Sequence, residues 1–381
     1  MKIRKIYKKS IEVIKNCSLK NGAIVAADIT DEIYPNNVQA YDYVWPRDAS
    51  YVCVACDLIG LSKIPEKFFN WCWERAELFK EKGVFLANKF APNGTIAGEL
   101  VESKYIKKIP IKVRKRYTGT QIRGFEFQPD QTGSLLWAIW HHSKHHKTSK
   151  FNHIVEKSAD GVCGIWKKDH FKLPSFDLWE ERIAWPEKRE KHTYSLAMCA
   201  KGLECAIEMV GDRKNWKKCM DEMKNEISKA YVDKLRYFVR TFGINKIDPK
   251  IDSSMFALVW PCEIFSADDE RIVNTVGKII KENEINGGIM RYRNDKYDGK
   301  IRWGKLILNG AGAWPILNFF ASIYFSKLGD RKRALEYFNW VIERSDGKIP
   351  EQIKNDRPCS INPLAWSHAM FIIAAKYLNL I

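Results

Sequence analysis

AWPILNFFASIYF, at residues 313–325, and LAWSHAMFIIAAKYL, at residues 364–378, are stretches in which apolar side chains occupy every side of a helix. A helix that is apolar on all sides is buried on all sides. Six fully buried helices therefore predict a helical protein with a ring of buried helices at its centre. The other four stretches of this kind are SYVCVACDLIG at 50–60, SLLWAIW at 134–140, SLAMCAKGLECA at 195–206 and SMFALVW at 254–260.

One-sided helices alternate with these buried helices along the chain. In segment 267–285 the apolar residues Ile272, Val276 and Ile279 share one helical face, with charged residues between them. Such a helix covers a core from one side. The alternation predicts an all-α fold, a six-fold α/α barrel with six inner and six outer helices. The twelve predicted helices are 4–17, 48–60, 65–82, 130–146, 149–160, 193–210, 213–232, 253–260, 267–285, 311–327, 331–346 and 363–379.

Every link from an outer to an inner helix lies at the same end of such a barrel. These links are the long ones, and in 84–127 alternating residues and the pair Asn93-Gly94 predict strands joined by a turn. Long loops at one end of a rigid scaffold usually carry function. The chain has no Pro- or Ser-rich linker, so we interpret residues 1–381 as a single catalytic domain.

Composition and charge narrow the possible functions. Of 381 residues, 45% are hydrophobic, which excludes a disordered or fibrous chain. The net charge of +17 raises nucleic acid or anionic lipid as partners. Without a recognition helix, an RNA-binding signature or a zinc finger, a lysine-rich solvated surface is the better interpretation. We therefore expect neither a nucleic acid nor a membrane as partner, and the oligomeric state stays open.

The uncharged stretch 306–326 is long enough to span a bilayer, but Gly310, Gly312 and Pro315 favour a loop followed by a buried helix. The N-terminal residues contain no apolar run, so no secretory signal is expected. Ten scattered cysteines are typical of reduced, structural thiols. These features together predict a cytoplasmic location.

Four histidines, His141, His142, His145 and His146, offer pairs four residues apart at a helix end, a spacing that suits a metal ion. No carboxylate or cysteine follows them, so we predict a solvated helix end and no metal site. The chain has no glycine-rich phosphate loop, and no cofactor is expected.

Five connections at the functional end combine aromatic and charged residues, a mixture that suits a sugar. Aromatic rings cover the C–H face of a pyranose, and charged side chains bind its hydroxyls in pairs. Candidate platforms are Trp45, Trp179, Trp303 and Tyr292, and candidate clamps are Arg47, Asp48, Arg291 and Asp295. The connections are YDYVWPRDAS at 41–50, FEFQPDQTGS at 125–134, FDLWEER at 176–182, GGIMRYRNDKYDG at 287–299 and IPEQI at 349–353.

Glycoside hydrolysis needs two carboxyl groups, one protonated acid and one base or nucleophile. Glu180 or Glu181 could supply the first and Glu351 the second, since all three lie on loops at the same end. The two adjacent carboxylates should repel each other and raise one pKa, as a general acid requires.

These five segments, in this order, resemble those of the glucoamylases, glycoside hydrolase family 15. WPRDA is similar to the family segment whose Arg and Asp hold the terminal glucose, which implies that role for Arg47 and Asp48. FDLWEER resembles the segment that carries the general acid, so the resemblance implies Glu180 as acid and Glu181 as a substrate-binding neighbour. Tyr43, Trp45 and Trp179 lie in the same two segments.

The remaining two segments extend the resemblance. RYRND is similar to a family segment that binds glucose, which implies substrate-binding roles for Arg291, Tyr292 and Asp295. IPEQI resembles the archaeal and bacterial segment that carries the general base, here Glu351. The family fold is a six-fold α/α barrel. Relatives usually carry an N-terminal β-sandwich, whereas this chain begins almost directly with the first helix, so a barrel alone is expected; Trp303 and Trp314 receive no role.

The resemblance implies a hydrolase that releases glucose from non-reducing ends of α-glucans or malto-oligosaccharides, with inversion. A trehalase or an α-1,6-glucosidase of the same family is the nearest alternative. A catalytically silent carbohydrate-binding barrel is the second, which the intact Arg47, Asp48, Glu180 and Glu351 disfavour. A basic nucleic-acid binder is the third.

Overall fold

The computed structural model describes residues 2–97, 127–213, 215–302, 305–306 and 308–381. Over this part of the chain the inner ring consists of five α-helices and one 3-10 helix. Each inner element packs against the next one, and α12 packs against α2, which closes the ring. The inner elements are α2 (Pro46–Leu58), α5 (Asp130–His146), α7 (Thr193–Val210), the 3-10 helix Ser253–Leu258, α10 (Pro315–Lys327) and α12 (Ala365–Tyr377).

The outer elements pack against this ring from outside, and their buried residues fall on one face. The sequence therefore predicted the fold correctly, as a six-fold α/α barrel with alternating inner and outer elements. The outer helices are α1 (Lys2–Cys17), α3 (Lys63–Glu74), α6 (Asn152–Ile165), α8 (Trp216–Ser228), α9 (Glu270–Asn283) and α11 (Arg331–Arg344).

Two predicted helices differ from the structure. The predicted helix 253–260 is a six-residue 3-10 helix, because Pro261 follows it and a residue before proline is disfavoured in the α region. The predicted helix 65–82 is divided into α3 and the short helix α4 (Phe79–Lys82). The chain turns between them at Leu78, which has a positive φ of 64°.

Short hairpins connect the helices. In the described part of 84–127, Phe90 bridges Val44 and Ile96 across the predicted turn at Asn93-Gly94, and the rest of that segment lies outside the described residues. The strands pair antiparallel, most of them within one connection, and one three-stranded sheet joins strands of two connections. They are β1 (Trp166–Lys167), β2 (His170–Phe171), β3 (Ser175–Phe176), β4 (Ile183–Ala184), β5 (Lys191–His192), β6 (Tyr231–Val232), β7 (Tyr237–Phe238), β8 (Thr241–Phe242), β9 (Ile247–Asp248), β10 (Glu284–Ile285), β11 (Gly288–Ile289), β12 (Ile301–Arg302), β13 (Lys305–Leu306), β14 (Gln352–Lys354) and β15 (Arg357–Cys359).

None of the helices in the described ranges is long and apolar enough to cross a lipid bilayer. The uncharged stretch 306–326 divides as predicted into a loop and the buried helix α10.

Candidate active site

A cavity of about 620 Å³ opens at the end of the barrel where the inner helices begin. Nine of the eleven candidate residues line it, while Tyr292 and Asp295 lie behind the wall. The nine are Tyr43, Trp45, Arg47, Asp48, Trp179, Glu180, Glu181, Arg291 and Glu351. The structure therefore brings nine of the predicted residues to one place, from four separate connections.

Arg47 lies in the first turn of α2, after Pro46 at the helix start. Its guanidinium is buried and donates to the side chains of Asp48 at 3.1 Å, Gln128 at 3.1 Å and Asp130 at 3.2 Å. Gln128 and Asp130, in the described part of segment 125–134, thus hold Arg47. The guanidinium makes these contacts from two of its nitrogens, whereas a lysine ammonium has only one nitrogen and could not reproduce this geometry.

Asp48 faces the cavity beside Arg47. Burial raises the pKa of the Asp48 carboxyl to about 6, although Arg47 lowers it and Glu180 adds a further increase. Trp45 occupies the cap position of α2 and no side chain caps this helix, so Arg47 and Asp48 do not serve as its cap.

Glu180 lies in the loop of the hairpin formed by β3 and β4. Asp177 shapes this loop, since its carboxylate accepts the backbone N–H of Glu181 at 2.8 Å and of Arg182 at 3.0 Å. Glu180 has a positive φ of 61°. Its Oε1 accepts the indole N–H of Trp45 at 2.9 Å, which fixes the carboxyl at the cavity wall.

Glu181 points to different partners from its neighbour. It accepts hydrogen bonds from Arg291 at 2.8 Å and from the hydroxyl of Tyr292. Burial is the main cause that raises the pKa of Glu181, and Arg291 opposes it. The sequence predicted that repulsion between the adjacent Glu180 and Glu181 raises one of their pKa values; for Glu181 the main cause is burial instead, because the two side chains diverge.

Arg291 is the centre of a second group of charged and aromatic residues at the cavity, which includes Glu181 and Asp295. It forms a bidentate pair with Asp295 at 2.6 and 2.7 Å, and four aromatic rings lie 5.1–5.4 Å from its guanidinium carbon. Asp295 and Tyr292 were predicted as a sugar clamp and a sugar platform. Both instead bond to residues of the cavity wall and so position Arg291 and Glu181.

Glu351 precedes the hairpin of β14 and β15, in which Gln352 pairs with Cys359. This register places Ser360 beside Glu351, and the Ser360 hydroxyl donates to Glu351 Oε2. Burial raises the pKa of the Glu351 carboxyl to about 7, while the hydrogen bond from Ser360 and the charge of Arg291 oppose the rise. A carboxyl with this pKa can exchange a proton near neutral pH.

Several residues of the site were missed or misjudged from the sequence. Trp366 was expected to be core, but it lines the cavity, with the Arg47 guanidinium 5.5 Å from its ring. Trp314 lines it too, and Trp303 lies outside the described residues. Tyr41 and Tyr297 also line the cavity, joined by a 2.5 Å bond between their hydroxyls. Only the richness of these connections in aromatic residues pointed to them.

The prediction of a solvated end for the four-histidine segment is wrong for His142. This side chain is buried, and its Nδ1 lies 2.8 Å from the carboxylate of Asp57 in α2. The missing carboxylate comes from another helix, which sequence distance concealed. Within the described ranges, Asp57, His142 and His146 form the one set of three possible metal ligands, and none of them lines the cavity.

Comparison with known proteins gives a consistent result. The profile of the Glycosyl hydrolases family 15 matches residues 2–376. An uncharacterized glycosyl hydrolase of Methanocaldococcus jannaschii is 30% identical over 98% of this chain and 55% of its own length. The chain thus spans about half of that relative.

Two further matches are of similar length to this chain. An isomaltose glucohydrolase of Kribbella flavida is 23% identical, over 89% of this chain and 85% of its own. A solved glycosidase variant in complex with glucose has a TM-score of 0.77 at 20% identity, over all of this chain and 98% of its own. The structural likeness supports the barrel fold.

Proposed function

This chain belongs to glycosyl hydrolases family 15, and on that premise we propose that it is an exo-acting α-glucosidase that releases glucose from non-reducing ends of α-glucans or malto-oligosaccharides. The observation that carries the proposal is one cavity that contains two carboxyl groups from separate loops, Glu180 and Glu351, beside the pair Arg47–Asp48. Glycoside hydrolysis needs such a pair of carboxyl groups, and aromatic walls suit the C–H face of a sugar ring.

Glu180 is assigned as the general acid. Within the described residues the carboxyl of Glu180 bonds to Trp45 through Oε1 alone, so Oε2 is available to protonate the glycosidic oxygen. Glu351 is assigned as the general base that activates a water molecule. Its carboxyl is buried and is held by Ser360, which fixes the direction in which it accepts the proton.

The depth of the cavity supports attack at a chain end. Arg47 and Trp366 at the inner end are buried, whereas Leu306 and Leu308 are 42% and 51% exposed. A cavity with a buried floor and an exposed rim admits the last sugar of a chain and excludes a continuous one. Arg47 and Asp48 would then bind hydroxyls of that terminal glucose through charge-assisted hydrogen bonds.

A second candidate is hydrolysis of an α-1,6 linkage, as in isomaltose. The observation that favours it is the similarity in length to the isomaltose glucohydrolase of Kribbella flavida. The same acid and base would serve both linkages, and residues at the rim would select between them.

Incubation with maltotriose, isomaltose and trehalose in separate reactions, with assay of free glucose, tests the proposal. We expect release from maltotriose, and preferential release from isomaltose or trehalose would support the corresponding alternative. Glu270→Gln is the matched control for a Glu180→Gln variant, since Glu270 lies on α9 with its side chain 84% exposed. Tight binding of sugars without release of glucose from any of them would indicate a silent barrel and overturn the proposal.

A further inference from the structure

A second cluster of chemically active side chains lies at the end of the barrel opposite the cavity. Asp57 is nine residues after Asp48 on α2, which corresponds to about 13 Å along the helix. His142 and His146 lie in the last turns of α5. Asp57 Oδ1 lies 2.8 Å from His142 Nδ1 and 3.0 Å from His146 Nε2. The cluster therefore joins two neighbouring inner helices.

Two polar atoms of this cluster have no hydrogen-bond partner among the residues that the structure describes. Asp57 Oδ2 and His141 Nδ1 are both buried and unpaired, and they lie 3.6 Å apart. An unpaired buried carboxylate oxygen is costly, by about 1–3 kcal/mol or more for a charged group. A cation bound at this position would pair with Asp57 Oδ2 and remove that cost.

We propose that Asp57, His142 and His146 bind a divalent transition-metal ion, Zn²⁺ by preference. The three ligand atoms lie within 4.8 Å of one another. Two imidazole nitrogens and a carboxylate oxygen form a ligand set typical of zinc, which binds such atoms at about 2.0–2.2 Å in a tetrahedron. The fourth position would be taken by water or by His141.

The surroundings suit a bound ion. Histidines four residues apart face the same side of a helix, so α5 presents both rings together. Phe69 and Phe151 pack edge-on against the His142 ring, with centroids 5.5 and 5.8 Å away, and hold its orientation. His141 and His146 are 22% and 29% exposed, which gives the ion a route from solvent to the buried carboxylate.

The ion would connect α2 to α5 at the end of the barrel opposite the cavity. It touches no residue of the cavity, so its role would be structural rather than catalytic. A bound metal stabilises the folded state by mass action because the unfolded chain lacks the assembled ligands.

Isothermal titration calorimetry of untagged, metal-free protein with Zn²⁺ tests the proposal directly. We expect one site per chain, a higher thermal unfolding midpoint with Zn²⁺ and a lower one after chelation. Co²⁺ should give visible absorption bands of a tetrahedral site. Removal of outer-shell partners costs metal sites about 10–100-fold in affinity, so His146→Ala, which removes a direct ligand, should weaken binding by at least about 100-fold.

His145→Ala is the matched control, because His145 stacks near His141 and His146 but does not contact Asp57. It should leave the affinity for Zn²⁺ unchanged. Asp57→Asn provides a second test should His146→Ala fail to fold. The proposal is overturned if the parent protein binds no Zn²⁺, which would make the cluster a hydrogen-bonded network, or if binding survives His146→Ala and Asp57→Asn. Neither result depends on glucose release.

Discussion

Glu180 occupies a backbone conformation that few residues with a Cβ adopt. Its φ of 61° costs of order 1–3 kcal/mol for a residue other than glycine, and such strain is concentrated at functional sites. Asp177 and the two strands on either side hold the loop in this shape. The strain is therefore compatible with a carboxyl that must point into the cavity.

Glu180→Gln should abolish hydrolysis and leave the thermal unfolding midpoint nearly unchanged. The amide oxygen of Gln can still accept the Trp45 N–H, but the amide cannot supply the proton that the leaving oxygen needs. The expected loss in kcat is about 10²–10⁴-fold. Steady-state kinetics on the preferred sugar and a thermal melt measure both quantities. An active Glu180→Gln beside an inactive Glu181→Gln would show that the wrong carboxylate was chosen.

Ser360→Ala should move the acid limb of the kcat/KM profile to higher pH. A general base works as a carboxylate, so activity is lost as pH falls through the pKa of Glu351, which is about 7. The hydroxyl of Ser360 stabilises the carboxylate. Its removal raises the pKa further, and the base becomes protonated at a higher pH than before.

Ser367→Ala is the control for this profile, since its buried hydroxyl bonds to the carbonyl of Pro350 and to no carboxylate. It should leave the acid limb in place. An acid limb that stays fixed in Ser360→Ala would show that Glu351 is not the general base or that Ser360 does not influence its pKa.

The sequence identified charged and aromatic residues of the site because their motifs are local. It missed Asp177 as the shaping residue of the loop, Ser360 as the partner of Glu351 and Asp57 as the partner of His142. The relations of Ser360 and Asp57 depend on a strand register and on a helix contact, which bring residues from separate positions together. The role of Asp177 depends on the turn geometry of the hairpin loop, which the residue pattern alone does not specify.

At the scale of the elements, the helices α5 and α7 approach each other unusually closely. A Cβ at Gly133 would lie 2.4 Å from the backbone carbonyl oxygen of Met198, and one at Gly202 would lie 2.9 Å from the Cα of Gly133. The two glycines thus permit backbone contact between neighbouring inner helices. This contact also places Ser195 against Asp130, at 2.6 Å, behind Arg47.

Gly133→Ala should destabilise the protein by about 1–3 kcal/mol or more, as overpacking does in other cores. The obstructing atoms belong to backbone and cannot turn away. Gly277→Ala is the matched control, because Gly277 is exposed in the middle of α9 and no atom lies within 4 Å of a Cβ built there. It should stabilise the protein by about 1 kcal/mol. Urea unfolding of both variants measures the change, and equal stability of the two would contradict this account of the contact.

The outer helices could be predicted because their 3.6-residue periodicity is local and strong, and the inner helices because each is a continuous apolar stretch. The 3-10 helix and the division of α3 from α4 could not, since both depend on turn geometry at one or two residues. The hairpin strands are two or three residues long, too short for an alternating pattern. Their position nevertheless decides where Glu180 and Glu351 lie.

At the scale of the whole molecule, the ring sets the relation between the two carboxyl groups. Glu180 lies on the loop before α7 and Glu351 on the loop before α12. These helices are the third and sixth elements of the inner ring, so the two loops enter the cavity from opposite sides. A wide separation leaves room for a water molecule, as inversion requires at about 6.5–9.5 Å.

The first glucose released from an α-linked substrate should therefore be the β-anomer. Proton NMR of the anomeric signals in the first minutes of reaction, before mutarotation, distinguishes the outcomes. The initial appearance of the α-anomer would indicate a retaining mechanism and contradict the assignment of Glu351 as general base.

Ring closure between α2 and α12 also has a consequence for synthesis. A ribosome releases α2 long before α12, so one flank of an apolar helix remains uncovered until nearly all of this sequence has been translated. Exposed surface of this kind makes incomplete chains prone to aggregation. A nascent chain of this barrel should thus depend on chaperone binding up to the emergence of residue 365, and translation pauses before that point should lower its yield.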